Sequence, residues 1–163
     1  MASQARQKIL ERREAQAWDA IRRDLTDVLA DRILDREGTP GWIWEAVDGF
    51  WDMTKEPQAT LTDEASPAAL GQWIEEMLSR CGFHDEAFIF THLSTRPWIA
   101  CKIAQPGWFT RVRTVIDDAW VFATGDLSVV AAVAEQEYRY EFFCATSKSG
   151  QSRARAIAPD LLS

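Results

Sequence analysis

Between residues 5 and 36 the apolar side chains Ile9, Trp18, Ile21, Leu25, Val28, Leu29 and Ile33 recur at three- and four-residue steps, and charges fill the opposite face. This spacing predicts one long amphipathic helix, broken at most once. Gly38-Thr39-Pro40 stops it and restarts the chain, with Thr39 as the cap and Pro40 at the first helical position, where a missing N–H costs nothing. Trp44, Val47 and Trp51 then share one face of a short second helix. A polar linker, 54–66, leads to the clearest local signal in the chain: Ser66 as cap, Pro67 in the first turn and Gly82 as terminator. The helix between them carries a buried stripe of Leu70, Trp73, Ile74, Met77, Leu78 and Cys81.

After Gly82 the period becomes two. Segments 88–90, 98–103, 109–116, 119–123, 128–134 and 138–144 are β-branched or aromatic, and the breaks between them hold Pro97, Pro106-Gly107, Asp117-Asp118 and Gly125-Asp126. The expected fold is therefore α+β, with N-terminal helices packed on a C-terminal antiparallel β-meander of about five or six strands. The run Val129-Val130-Ala131-Ala132-Val133-Ala134 fits a buried helix as well as a strand by periodicity, and is assigned as a strand. One domain spans 1–145, helical over 1–82 and sheet-forming over 83–145, and 146–163 is a flexible or docking tail.

Composition fits one core: 163 residues, 47% of them apolar, are enough for a single compact domain. No apolar run suits a signal-peptide core, and none approaches the roughly eighteen residues of a membrane span, so a cytoplasmic protein is expected. Cys81, Cys101 and Cys144 are odd in number and widely spaced, which suits reduced thiols better than a disulfide framework.

Charge changes the picture most. From Glu37 to Thr95 there are eleven acids against Lys55 and Arg80, a charge of −9 that exceeds the −7 of the whole chain, and four tryptophans share the stretch. Such a field repels phosphates and anionic membranes and attracts a basic protein. Trp18, Trp44, Trp73 and Trp120 are in register with apolar neighbours and are assigned to the core. Trp42 and Trp51 flank Glu45, Asp48 and Asp52 on a helix too short to bury every ring. Aromatic anchors ringed by carboxylates grip Lys and Arg by stacking, cation–π contact and ion pairing together. The expected partner-binding residues are thus Trp42, Glu45, Asp48, Trp51 and Asp52, extended by Glu56, Asp63, Glu64, Glu75 and Glu76.

Other chemistry is weaker. Cys81, His84, Asp85, His92 and Cys101 supply nitrogen and sulfur but match no zinc framework, so neither metal nor cofactor is assigned. Glu135, Glu137 and Glu141 alternate as if along one strand face, yet Arg139 joins them, which reads as an ion-pair ladder rather than an acid–base pair. There is no Gly-x-Ser-x-Gly elbow, phosphate-binding glycine loop or His-Glu-x-x-His helix, and no catalytic residue is assigned. Arg111 and Arg113 beside Trp108 and Phe109 sketch a base-stacking strip, but the first helix interleaves its bases with acids and the net charge opposes nucleic acid.

The expectation is a non-enzymatic acidic module of immunity or inhibitor type that fills the cationic cleft of a basic, nucleic-acid-acting protein. The alternatives are a small enzyme or ligand-binding domain with its pocket between sheet and helices, using His84, His92 or the glutamate row, and a subunit that pairs through its first helix as a homodimer.

Overall fold

The computed structural model describes residues 2–52, 54–117 and 120–147, in the order α1 (Ala2–Asp24), β1 (Leu29–Leu34), α2 (Gly41–Phe50), β2 (Ala59–Thr62), α3 (Pro67–Arg80), β3 (Glu86–Phe90), β4 (Trp98–Lys102), α4 (Trp108–Val115), β5 (Val121–Thr124), β6 (Val129–Glu135) and β7 (Arg139–Thr146). The seven strands form one antiparallel sheet in the order β1-β4-β3-β5-β6-β7-β2. The α+β class and the packing of helices on an antiparallel sheet are as expected, with more strands than the five or six anticipated. Both additional strands come from the N-terminal half and lie at the two edges of the sheet.

Side chains that alternate along the strands build two cores. On one face Ala87, Ile89, Ile99, Cys101, Phe122, Ala131, Val133 and Phe142 meet Ile21 and Leu25 of α1, Leu70, Ile74 and Leu78 of α3, and Phe109 and Val112 of α4. On the other, Phe88, Trp98, Ala100, Val121, Ala123, Ala132 and Phe143 meet Ile43 and Phe50 of α2. A single ten-residue helix covers that second face, so furrows remain along its flanks.

Several local expectations are corrected. The long first helix ends at Asp24, and 29–34 is an edge strand rather than its continuation. Val28 Oaccepts from the Lys102 N–H (2.7 Å) and Leu29 lies opposite Cys101, so sheet pairing overrides a stripe compatible with a helix. Asp31 and Arg32 decorate the exposed edge, as suits a strand that must not recruit another. Pro40 is itself the N-cap of α2, and the Thr39 hydroxyl donates back to the Asp35 carbonyl (2.7 Å) instead of capping. The linker 54–66 contains β2, whose Ala59 and Leu61 face the core while Thr60 and Thr62 face solvent.

Segment 109–116 is largely helix α4, not a strand. Trp108, Phe109 and Val112 form its buried stripe, left-handed Gly107 (φ 89°) opens it, and Glu75 accepts from the N–H groups of Gly107 (2.8 Å) and Trp108 (3.1 Å). Segment 128–134 is a strand, as assigned. Ser66 caps α3 by accepting from the Ala69 N–H (3.1 Å), and Gly82 ends that helix region at φ 98°. Asp118 of the anticipated Asp117-Asp118 turn lies outside the described residues. So does the anticipated tail from 148 onward, and β7 itself runs to Thr146.

Candidate functional site

The C-terminal end of α2 and the segment after it lie beside the β6–β7 hairpin, and two clefts open there. One, of about 590 Å³, is bordered by Phe50, Trp51, Asp52, Lys55, Glu56, Glu137, Tyr138, Arg139 and Glu141. The other, of about 390 Å³, lies between Trp44, Val47, Trp51, Phe90, His92 and Glu135. They share Trp51 and Gln136, which makes them the two ends of one furrow.

Local packing explains why Trp51 stands at its centre. Ile43 and Phe50 point into the sheet, Phe50 stacking on Phe143 with ring centroids 5.6 Å apart, so the next residue is turned outward. Trp51 is the C-cap of α2, its N–H donates to the Gly49 carbonyl, and its side chain is 48% exposed. Tyr138, at the tip of the hairpin, is 73% exposed. Together they offer two large aromatic surfaces to a partner at little ordering cost.

Carboxylates border these rings from two parts of the chain. Asp52 Oδ1 accepts from the Thr54 N–H and hydroxyl, both at 2.9 Å, and these bonds hold its pKa below the usual value, so it stays ionised. Glu56 follows on the same border, and Glu135, Glu137 and Glu141 come from the hairpin. The cations present are already engaged: Lys55 lies 5.2 Å over the Phe50 ring, and Arg139 is 2.8 Å from the buried Glu141. The furrow carries an excess of negative charge around unoccupied aromatic surface.

The ten expected residues divide over the molecule. Trp51, Asp52 and Glu56 line the furrow. Glu45 and Asp48 are exposed on α2 but outside both clefts, and Trp42 is half-buried against the core beneath α2. Asp63 and Glu64 follow β2, where the Asp63 N–H donates to the Tyr138 carbonyl (3.2 Å), near the hairpin tip. Glu75 and Glu76 belong to α3, which packs on the opposite face of the sheet.

Glu76 is bound to Arg80 at 2.6 Å, an exposed pair one turn apart. Glu75 serves α4 instead: burial raises its pKa, against the opposing effect of the backbone N–H groups it accepts from. For a carboxyl whose pKa is higher in the folded state, the contribution to stability declines as pH rises from the unfolded value of 4.5 through the raised one. Glu75→Gln keeps an acceptor for both N–H groups without a desolvated charge and is expected to leave stability unchanged or slightly higher at neutral pH. Glu75→Ala orphans both donors and is expected to cost about 1–2 kcal/mol, read by urea denaturation of the two variants.

Other candidate chemistry is dispersed. Cys101 is fully buried, and His84 and His92 lie beyond opposite ends of β3. Among the described residues no group of three or more His, Cys, Asp and Glu side chains could hold a metal ion. Glu135, Glu137 and Glu141 do not form a row on one strand: Glu135 ends β6, Glu137 is in the turn, and Glu141 pairs across with Ala134. The base-stacking strip is likewise absent, because Arg111 is bound to Asp27, Arg113 lies 4.6 Å over Trp120, and Trp108 and Phe109 are core residues. A hollow of about 900 Å³ between α1 and β1 mixes Arg22, Arg23 and Arg32 with Asp19 and Asp31, so it offers no single sign of charge.

No family model, curated protein or solved structure matches this chain. Among the described residues no helix is long and apolar enough to cross a membrane.

The furrow residues that sequence reasoning missed are Tyr138 and the border role of Glu135 and Glu137. Their signal was the polar run Glu135-Gln136-Glu137-Tyr138 between two apolar strands, a hairpin tip that places an aromatic and two acids in solvent.

Proposed function

We propose that the chain is a non-enzymatic acidic protein-binding module of immunity or inhibitor type, which neutralises a basic, nucleic-acid-acting protein by occupying its cationic cleft. The observation that carries this reading is the furrow itself: half-exposed Trp51 stands between carboxylates supplied by two separate segments, Asp52 and Glu56 from one, Glu135 and Glu137 from the other. Carboxylates in such an array stand in for nucleic-acid phosphates. Their field accelerates encounter with a cationic cleft, and aromatic burial then slows release.

The test is capture of the partner on the purified protein with elution in steps of rising salt, followed by binding kinetics on the species identified. Replacing Asp52, Glu56, Glu135 and Glu137 together by Ser is expected to slow association about tenfold or more at low salt and to flatten its salt dependence, with a smaller change in dissociation. Replacing Glu45 and Asp48, which lie outside both clefts, is expected to do much less. Equal effects from the two sets would assign the response to overall charge and remove the furrow from the interface.

A second reading, a small-ligand-binding domain, draws on the apolar end of the furrow. There Trp44, Val47 and Phe90 surround a cleft of about 390 Å³, and His92 at its border has a left-handed backbone (φ 64°). Absence of a stoichiometric protein partner at every salt concentration would move the weight to this reading.

A further inference from the structure

The N-terminal part of α1 stands clear of the rest of the protein. Every residue from Ser3 to Arg13 is exposed, whereas a helix lying on a core buries a side chain in each turn. Contact begins at Glu14, whose carboxylate accepts from the Ser94 N–H and hydroxyl, both at 2.8 Å, and continues at Trp18, over which the Arg96 guanidinium lies at 4.5 Å. What precedes Glu14 is an arm of more than three turns, about 18 Å long.

The arm is basic. It carries Arg6, Lys8, Arg12 and Arg13 against Glu11 alone, and none of these four cations has a carboxylate partner among the described residues. Arg6, Leu10 and Arg13 follow one another at steps of four and three, with Ile9 beside Leu10, so one helix face presents a cation, an apolar pair and a second cation over about 10 Å. All four residues border the same surface hollow, and Ile9 and Leu10 are 52% and 48% exposed.

The furrow is complementary in sign and in order. Glu56 and Glu137 border its polar end, Glu135 borders its apolar end, and Trp51 stands between them. The arm cannot reach the furrow of its own chain without breaking α1, because that helix continues into the core on the sheet face opposite α2. Both features nevertheless adjoin the loop 91–97: Ser94 anchors the base of the arm, and His92 borders the furrow. Two copies facing each other across this loop can each lay an arm in the other's furrow, which closes the contact about a two-fold axis.

We propose that a second copy of this chain occupies the furrow, the two α1 arms being exchanged reciprocally in a dimer. Arg6 and Arg13 pair with the bordering carboxylates, and Ile9 and Leu10 cover the aromatic surface between them. The inference rests on the reading of the furrow as a site for a basic surface, and it adds a competitor carried by the chain itself, so that self-association and capture of another protein exclude one another. Its charges lie in solvent, so the contact weakens as salt rises.

Sedimentation equilibrium of the full chain at low and high salt tests this, together with Arg6→Glu/Arg13→Glu, Glu135→Lys/Glu137→Lys and the chain carrying all four changes. All four positions are exposed, and unchanged circular dichroism checks that the fold is kept. The parent is expected to dimerise at low salt and dissociate at high salt. Each double reversal should raise the dimer dissociation constant by about 100-fold or more. An equimolar mixture of the two should restore a dimer holding one chain of each kind, and the fourfold variant should dimerise alone, because opposite signs then face each other again. A dimer that survives Glu135→Lys/Glu137→Lys would mean that arms pair with arms, and would overturn the proposal, as would failure of the mixture to restore association. A parent that stays monomeric at low salt yet captures a basic partner would overturn it while sustaining the furrow reading. A dimer that passes the mixing test in a chain that captures no partner would sustain it and remove the inhibitor reading.

Discussion

Trp51→Ala is expected to weaken binding of the proposed basic partner by roughly 30- to 1,000-fold, the loss of about 2–4 kcal/mol that truncating a central aromatic anchor produces. The expectation follows from where the ring lies. It is 48% exposed in the free protein, both clefts border on it, and it takes part in no ring or cation contact among the described residues. Its binding surface is therefore free, and little of the fold rests on it. The backbone of Trp51 caps α2 whatever its side chain, so the variant should melt within a few degrees of the parent. Trp51→Phe should recover much of the affinity, because the apolar face is kept while some area and the indole N–H are lost. The measurement is titration calorimetry beside thermal denaturation. Loss of affinity with the fold intact assigns the anchor, whereas unchanged affinity would place the interface away from the furrow.

The exposure of Trp51 was legible from sequence, but its surroundings were not. A short helix flanked by Glu45, Asp48 and Asp52 cannot bury every ring, and of Trp42 and Trp51 it is Trp51 that the structure leaves exposed, because Ile43 and Phe50 take the buried positions. Local pattern cannot say which distant segment faces it. The β6–β7 hairpin reaches the furrow only because α2 covers the sheet face opposite α1, α3 and α4, and that choice of face is set by the whole topology. Glu75 shows the converse: as an acid on α3 it was placed with the partner-binding residues, and its carboxylate instead closes the start of α4, more than thirty residues further on.

The fold divides along the same line. Ser66-Pro67 and Gly82 marked α3 because capping and left-handed termination are decided within a few residues. Leu29–Leu34 and Ala59–Thr62 were missed because a short edge strand owes its existence to the neighbour it pairs with, β4 in one case and β7 in the other. In Trp108–Val115 the β-branched and aromatic composition argued for a strand, while the spacing of Trp108, Phe109, Val112 and Ile116 argued for a helix. The spacing was the better guide, since it reports which side chains can be buried together, and composition alone reports only a weak local preference.

Substitution of Phe109 turns that difference into a measurement. Phe109 is 1% exposed and meets Trp108, Trp120 and Phe122 with ring centroids 5.9, 6.3 and 5.9 Å away. It also lies against Gly71 of α3, where an added Cβ would come within 3.8 Å of the Phe109 ring and 2.5 Å of Thr110 Oγ1, so the two helices approach too closely to collapse into a void. Phe109→Ala is therefore expected to cost about 3–5 kcal/mol, a large part of the roughly 5–15 kcal/mol typical of a domain, and to lower the melting temperature by about 10 °C or more. The pattern across neighbouring positions separates helix from strand. A helix requires Val112→Ala to be costly as well, because Val112 is fully buried, and leaves Thr110→Ala nearly silent. A strand would bury 109, 111, 113 and 115 together and turn Val112 to the other face. Heavy losses at Phe109 and Val112, with small effects at Thr110 and Thr114, would show that the stripe holding α4 against α3 and the sheet is the helical one.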